Sequence, residues 1–237
     1  MRLIPIVIGA LLLISATGCS GNEQTAPIPS TTETQATISF LALGDSYTVG
    51  EQVGKLESWP MQLTRKLRVA GRGTAEPTII AVSGWDTSEL IEALTLVDLV
   101  SSFDVVTLQI GVNNQFRNGP LVDFESDLDG LTNSAIALAQ GNAKKVVLIS
   151  IPDWSATPFA NGAPRKEISA EIDQFNDIVR TQATKSGTQF VDITEVSREA
   201  TNDLDLVAPD GLHPSGKMFE RWVELIFPVV EESVDAD

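Results

Sequence analysis

The sequence predicts an α/β domain of three layers, an α/β/α sandwich in which helices cover both faces of a parallel sheet. Five short apolar runs rich in β-branched residues indicate strands that are buried on both faces. Stretches with helical apolar spacing separate these runs, which indicates right-handed βαβ units. Of the 237 residues, roughly 200 follow the N-terminal segments described below, a length that suits one domain with a sizeable core.

The predicted strands are continuous apolar runs rather than alternating ones. Alternation would indicate a sheet with one face in water, whereas continuity indicates cover on both faces. In chain order the runs are ISFLAL (38–43), TIIAV (78–82), DVVTLQI (104–110), KVVLISI (145–151) and TQFVDI (188–193).

The first predicted helix begins near Ser58, a residue type that caps helices, and Pro60 suits its first turn. Leu63, Leu67 and Ala70 then share one face of that helix. Four later stretches show the same spacing. Their apolar faces consist of Leu90, Leu94 and Val97; Leu121, Phe124, Leu128, Leu131 and Ala135; Ile168, Ile172, Phe175 and Val179; and Phe219, Trp222, Leu225, Ile226 and Val229.

Residues 1–18 have the pattern of a secretory signal, because Arg2 precedes the apolar run at 3–14 and small residues follow it. The sequence ATGC that ends at Cys19 resembles a bacterial lipoprotein signal, in which the cysteine becomes the lipidated first residue. We therefore expect an exported protein that a lipid anchors to a membrane of the cell envelope. The alternative is plain cleavage, which would leave a free thiol and a secreted protein.

A flexible tether is predicted over residues 19–37. After Cys19 this segment reads SGNEQTAPIPSTTETQAT and contains almost no bulky apolar side chain. Such a segment cannot bury enough surface to offset the entropy of ordering it. The domain itself is predicted over residues 38–237.

The chain is strongly acidic, with 32 acidic and 16 basic residues and a formal net charge of −16 at pH 7. An acidic surface repels phosphate backbones, which excludes nucleic acid as a partner and favours a soluble or glycan-borne substrate over an anionic lipid. No zinc-type cluster is present, and no glycine-rich phosphate loop follows the first strand. The acidic stretch at 123–129 lacks the EF-hand spacing. We expect no metal, no cofactor and a monomer.

Five residues that could take part in catalysis follow the predicted strands, at the edge where ligands bind in parallel sheets. Ser46 follows the first strand, Gly84 the second and Asn113 the third, and a loop after the fifth strand carries Asp210 and His213. We expect these residues to converge.

The nucleophile, the base and its orienting acid can be assigned within this set. Serine is a weak nucleophile unless a base takes its proton, and His213 is the only histidine in the chain. Asp210 lies three residues before His213, so its carboxylate can fix the tautomer of the ring. Ser46, Asp210 and His213 are therefore the predicted catalytic residues.

Attack on a carbonyl creates an oxyanion, which needs preorganised hydrogen-bond donors. The backbone N–H of Ser46 lies at a strand-to-helix turn, Gly84 offers an unobstructed N–H, and Asn113 offers a side-chain amide. Each residue also has a plainer interpretation. Ser46 would be a helix cap, Gly84 a turn glycine, Asn113 a loop brace and His213 a surface residue.

The stretches GDSYT (44–48), SGW (83–85), GVNN (111–114) and DGLH (210–213) occur in this order, each after a predicted strand. Together they resemble the four signature blocks of the SGNH hydrolases, the GDSL-type esterases and lipases. The resemblance implies a flavodoxin-like five-stranded parallel sheet with strand order 2-1-3-4-5. It also implies a serine esterase without cofactor.

Carried over by motif, Ser46 resembles the nucleophile, His213 the base and Asp210 its partner. Gly84 and Asn113, with the N–H of Ser46, resemble the oxyanion hole. The third block departs from the pattern at Asn114, where the family often has Asp.

A substrate pocket is predicted from Trp85, Asn114, Trp154 and Phe159. The alternative is that the aromatic residues belong to the core. The predicted function is hydrolysis of an ester through an acyl-enzyme, in the bacterial envelope, on a lipid or an acetylated glycan. A non-catalytic envelope lipoprotein that binds glycan or lipid is the alternative.

Overall fold

A computed structural model of the protein describes residues 37–97 and 102–236. The signal sequence, Cys19 and residues 20–36 of the tether lie outside the described residues. What the sequence predicts for them stays a prediction.

The described residues form one five-stranded parallel sheet, which confirms the predicted fold and the strand order 2-1-3-4-5. Gly44 pairs with residue 81 on one side and with Gln109 on the other, so three strands end level with one another. The loops that follow these strands therefore open onto one edge. The strands are β1 (Phe40–Gly44), β2 (Thr78–Ala81), β3 (Val105–Gln109), β4 (Val146–Ile149) and β5 (Gln189–Val191).

Burial differs between the central and the outer strands. Every residue of β1, β3 and β4 is buried, as the continuous apolar runs predict. For β2 the expectation of burial on both faces is wrong, because none of its four residues is fully buried and Val82 beyond it is 47% exposed. An edge strand has one neighbour instead of two, so its sides remain open.

Helices lie on both faces of the sheet. The last helix packs with the second against one face, and the third, fifth and sixth form the other layer. In the part of the chain that the structure describes, no helix is long and apolar enough to cross a membrane. The helices are α1 (Ser46–Val49), α2 (Trp59–Val69), α3 (Thr87–Leu96), α4 (Val112–Phe116), α5 (Leu121–Leu138), α6 (Arg165–Ser186), α7 (Thr194–Arg198) and α8 (Gly216–Val234).

The predicted helical faces are buried or half-buried with three exceptions. Ala70 and Val97 follow the last residues of α2 and α3 and are exposed, and Leu225 is exposed at the edge of the apolar face of α8. Ser58 precedes α2 as predicted, but its hydroxyl donates a hydrogen bond to the carbonyl of Lys55 at 3.0 Å and does not cap the helix.

Candidate active site

Ser46 lies at the turn from β1 into α1. Its side chain is almost fully buried, and its N–H is at the start of the helix, where backbone donors have no partner within the helix. Asp45 caps the helix by accepting a hydrogen bond from the N–H of Tyr47 at 3.0 Å. A Cβ at position 44 would lie 2.5 Å from the carbonyl oxygen of Gln109. The turn therefore approaches β3 so closely that only glycine fits there.

The structure brings Ser46, His213 and Asp210 into one chain of hydrogen bonds. His213 Nε2 lies 3.1 Å from Ser46 Oγ, although 167 residues separate them. His213 Nδ1 lies 2.5 Å from Asp210 Oδ2. If Nδ1 carries the ring proton, it donates a hydrogen bond to Asp210, and Nε2 is free to accept a hydrogen bond from the hydroxyl of Ser46.

The loop that carries Asp210 and His213 is held largely by its own backbone. Asp210 Oδ1 accepts hydrogen bonds from the N–H groups of Leu212 and His213, both at 3.0 Å. The N–H of Ala208 donates to the carbonyl of His213 at 2.7 Å, and Gly211 has φ +76°. The carboxylate therefore orients both the turn and the ring that the turn presents.

The two carboxyls next to the serine have opposite pKa shifts. Burial raises the pKa of Asp45 to about 7, and the N–H of Tyr47 offsets only part of that shift. Partial burial acts in the same direction on Asp210, but the hydrogen bonds from His213 and from two backbone N–H groups outweigh it and hold its pKa below the usual range. Asp210 is therefore an anion at neutral pH, as an orienting acid must be.

Gly84 and Asn113 lie in the loops after β2 and β3, and they approach each other through Trp85. The Nδ2 of Asn113 donates a hydrogen bond to the carbonyl of Trp85 at 2.8 Å. A carboxamide has two N–H donors, so one is left for a ligand. Gly84 has φ +87°, in the left-handed region that favours glycine. Both lie on the predicted edge of the sheet.

The amide of Asn114 forms hydrogen bonds with Thr87 at the start of α3. Its Oδ1 accepts from the N–H of Thr87 at 3.2 Å, and its Nδ2 donates to Thr87 Oγ1 at 2.8 Å. Thr87 Oγ1 in turn donates to Asp127 at 2.7 Å. Asn114 thus ties three segments together.

A cavity of about 80 Å³, open to solvent, lies beside the serine. Trp154 forms one wall, and its indole Nε1 donates to Gln115 Oε1 at 2.7 Å. The rings of Phe116 and Phe159 pack against Trp154, with centroids 5.3 and 6.1 Å away, and both are half exposed. The lining residues are Ser46, Tyr47, Val112, Asn113, Phe116, Trp154, Leu212 and His213.

The residues predicted for a substrate pocket divide into two groups. Trp154 lines the cavity, and Phe159 does not line it but packs against Trp154. Trp85 and Asn114 are not among the lining residues: Trp85 packs against the core, and the amide of Asn114 is engaged by Thr87. Their place in the structure supports a role in bracing the loops.

Sequence reasoning missed several residues of the site. Tyr47, Val112 and Leu212 are sequence neighbours of predicted residues, and that adjacency was the signal available. Phe116 follows Asn113 by three residues, one turn along α4. Among residues 37–97 and 102–236, no group of three or more His, Cys, Asp and Glu side chains could hold a metal ion.

The comparisons with known proteins bear on the family and on the fold. The chain matches the family model described as GDSL-like Lipase/Acylhydrolase family over residues 42–221. No curated protein sequence matches the chain.

Solved structures share the fold at low sequence identity. TesA has a TM-score of 0.65 and 19% identity, over 82% of this chain and 99% of that chain. The psychrotrophic esterase EstA from Pseudoalteromonas sp. has a TM-score of 0.64 and 16% identity, over 84% and 100%. The acetylxylan esterase Axe2 from Geobacillus stearothermophilus has a TM-score of 0.63 and 18% identity, over 84% and 95%.

Proposed function

Because the chain belongs to the GDSL-like lipase/acylhydrolase family and is therefore a carboxylic ester hydrolase, we propose that it works through an acyl-enzyme on Ser46. The observation that carries this proposal is the relay of hydrogen bonds from Ser46 Oγ to His213 Nε2 and from His213 Nδ1 to Asp210 Oδ2. In this relay a base lies within reach of the hydroxyl proton and an anion stabilises the base once it is charged.

In the first half of the reaction, Ser46 Oγ bonds to the carbonyl carbon of the ester while its proton passes to His213 Nε2. The carbonyl oxygen becomes an oxyanion, which the N–H groups of Ser46 and Gly84 and the free N–H of the Asn113 amide stabilise. When the carbonyl re-forms, the bond to the alcohol oxygen breaks, and His213 gives its proton to the departing alcohol. The acyl group remains on Ser46.

In the second half, water replaces the alcohol. His213 Nε2 takes a proton from the water as its oxygen bonds to the acyl carbon, and the oxyanion forms again in the same niche. The bond to Ser46 Oγ then breaks, and His213 returns the proton to that oxygen. Ester and water have become acid and alcohol, and the enzyme is unchanged.

The cavity supports a substrate with a short acyl group. Its volume is only about 80 Å³, and Trp154 is one of the residues that line it. The half-exposed rings of Phe116 and Phe159 add apolar surface for the rest of the substrate. Together with the net charge of −16, this favours a neutral or glycan-borne ester, such as an acetylated glycan, over an anionic lipid.

We also propose that the enzyme acts in the cell envelope, on the strength of the N-terminal signal pattern and Cys19. A tether of 18 residues would have a root-mean-square reach of roughly 20–25 Å, which would keep the domain close to the membrane. Cys19→Ser is expected to move the protein from the membrane fraction to the soluble exported fraction. An unchanged membrane fraction would refute lipidation.

The decisive variant for the mechanism is Ser46→Ala. We expect it to hydrolyse a short-chain p-nitrophenyl ester no faster than buffer, while its thermal unfolding resembles that of the wild type. A fluorophosphonate should label the wild-type protein to one equivalent and leave the variant unlabelled, because only an activated serine reacts. A protein that merely binds glycan or lipid would show neither turnover nor labelling, and full activity in the variant would exclude Ser46 as the nucleophile.

A further inference from the structure

Arg117 reaches from the end of α4 into the loop that carries Gly84. Its Nη2 donates a hydrogen bond to the carbonyl oxygen of Gly84 at 2.7 Å. Its Nη1 donates to Asp86 Oδ2 at 2.6 Å and to Glu89 Oε2 at 3.0 Å. One guanidinium therefore grips the loop on the peptide of Gly84 and on the first turn of the following helix.

Gly84 is poorly suited to hold its own N–H in place. Without a Cβ its backbone moves through more conformations than that of any other residue, and here it has φ +87°. An oxyanion donor is valuable only when it is already oriented before charge develops. The N–H of Gly84 therefore needs a contact from another residue to hold it in place. Arg117 holds the carbonyl of Gly84, which restricts the φ and ψ torsions between that carbonyl and the N–H.

The anchor and another oxyanion donor lie on the same short helix. The N–H of Arg117 donates to the carbonyl of Asn113 at 3.0 Å, so the two residues are one turn apart. Asn113 holds the carbonyl of Trp85 at 2.8 Å, next to the carbonyl that Arg117 holds. Two successive peptides of the loop are therefore fixed to one element.

The ion pairs of Arg117 are too exposed to contribute much to stability. Its side chain is 48% exposed, against 43% for Glu89 and 19% for Asp86, and pairs with a half-exposed partner contribute little. The hydrogen bond to a backbone carbonyl has a different use, because the planar fork can bind two carboxylates and a carbonyl together, which an ammonium cannot match.

We propose that Arg117 is a positioning residue that aligns the N–H of Gly84 with the oxyanion. The inference rests on the proposed function, since it assigns a task to Arg117 within that mechanism. Arg117 touches neither Ser46 nor His213 in the described contacts, so its effect would pass through Gly84. It would lower the barrier without binding the substrate in its ground state.

The test compares Arg117→Ala and Arg117→Lys with the wild type in the full chain, using a short-chain p-nitrophenyl ester. In both variants kcat should fall about 10-fold and KM should change less than about 2-fold. The reason is that a misaligned N–H weakens binding of the oxyanion, which is present in the transition state and not in the bound ester. The rate of fluorophosphonate labelling should fall in parallel. The temperature of unfolding should stay within about 3 °C.

Arg180→Ala is the matched control, because Arg180 on α6 is 52% exposed and pairs at 2.6 Å with Asp192, which follows β5; it should retain wild-type kcat. An unchanged kcat in Arg117→Ala, full recovery in Arg117→Lys, or a fall in kcat that matches a loss of folded protein would each overturn the inference. The Ser46→Ala variant tests the proposed mechanism independently of Arg117. If Ser46→Ala is inactive while Arg117→Ala keeps the wild-type kcat, only the role of Arg117 is refuted; if Ser46→Ala is as active as the wild type, the mechanism is refuted as well.

Discussion

The proposed acid–base arm and the proposed oxyanion arm of the site are built in different ways. The acid–base arm, Asp210 and His213, spans four residues, and the aspartate bonds both to the ring and to the backbone N–H of His213. The oxyanion arm, Gly84 and Asn113, depends on contacts between distant segments. Asn113 reaches a carbonyl 28 residues away, and Arg117 reaches one 33 residues away.

The difference shows what kind of geometry a short motif can encode. A turn of four residues can encode the pair of acid and base, because the spacing alone brings the carboxylate to the ring. No spacing brings Gly84 to Asn113, since the sheet and two loops must form first. We therefore expect the acid–base arm to tolerate changes elsewhere in the fold and the oxyanion arm to be sensitive to them.

The largest effect is expected for His213→Gln, which removes the base while the oxyanion arm stays intact. The value of kcat should fall by about 10³–10⁴, because general base catalysis is lost. Assays with a short-chain nitrophenyl ester at pH 8 measure this loss.

A value of kcat in His213→Gln within about 10-fold of the wild-type value would exclude His213 as the general base.

A smaller loss is expected for Asn113→Ala, about 10²–10³ in kcat, as for a single donor to an oxyanion. The side chain also holds the carbonyl of Trp85, so the variant should loosen the loop after β2 as well. Hydrogen exchange of the Gly84 and Trp85 amides is the measurement that separates the arms. Faster exchange there, with unchanged exchange at Leu212 and His213, would show that the loop after β2 depends on Asn113 and the turn of His213 does not. An unchanged kcat would exclude Asn113 from the oxyanion hole.

The two carboxyls with opposite pKa shifts should affect stability rather than the rate of reaction. Asp45 has a folded pKa of about 7 against an ordinary value of 3.8. The folded protein therefore holds a proton that the unfolded chain releases, and stability falls as pH rises from about 4 to 7. Asp210, whose pKa is lowered, contributes with the opposite sign: its stabilisation is lost as pH falls.

Asp45→Asn should remove the first contribution, because a neutral amide can still accept the hydrogen bond from Tyr47. Relative to the wild type, the variant should gain on the order of 3 kcal/mol in the free energy of unfolding between pH 4 and pH 8. Urea denaturation at both pH values measures this gain. Equal differences at pH 4 and pH 8 would show that Asp45 is not protonated in the fold.

The sequence by itself determined the class of fold and the positions of its strands. Continuous apolar runs such as DVVTLQI favour cover on both faces, and the helical stretches between them made a parallel sheet the expected arrangement. The same reasoning failed for β2, whose residues have the same composition but lie at the edge. The composition of a strand shows that it can be buried on both faces, whereas its position in the sheet decides how much of it is buried.

For the site, the sequence determined which side chains could do chemistry, because a lone histidine three residues after an aspartate and a serine after a strand leave few assignments. Only the tertiary structure decided the distance of 3.1 Å between Ser46 Oγ and His213 Nε2. It also decided that Asn113 lines the cavity and bonds to Trp85, whereas the amide of Asn114 bonds to Thr87. Neighbours on a four-residue turn are brought together by chain connectivity. Residues 167 apart meet only when the whole sheet fixes where their loops begin.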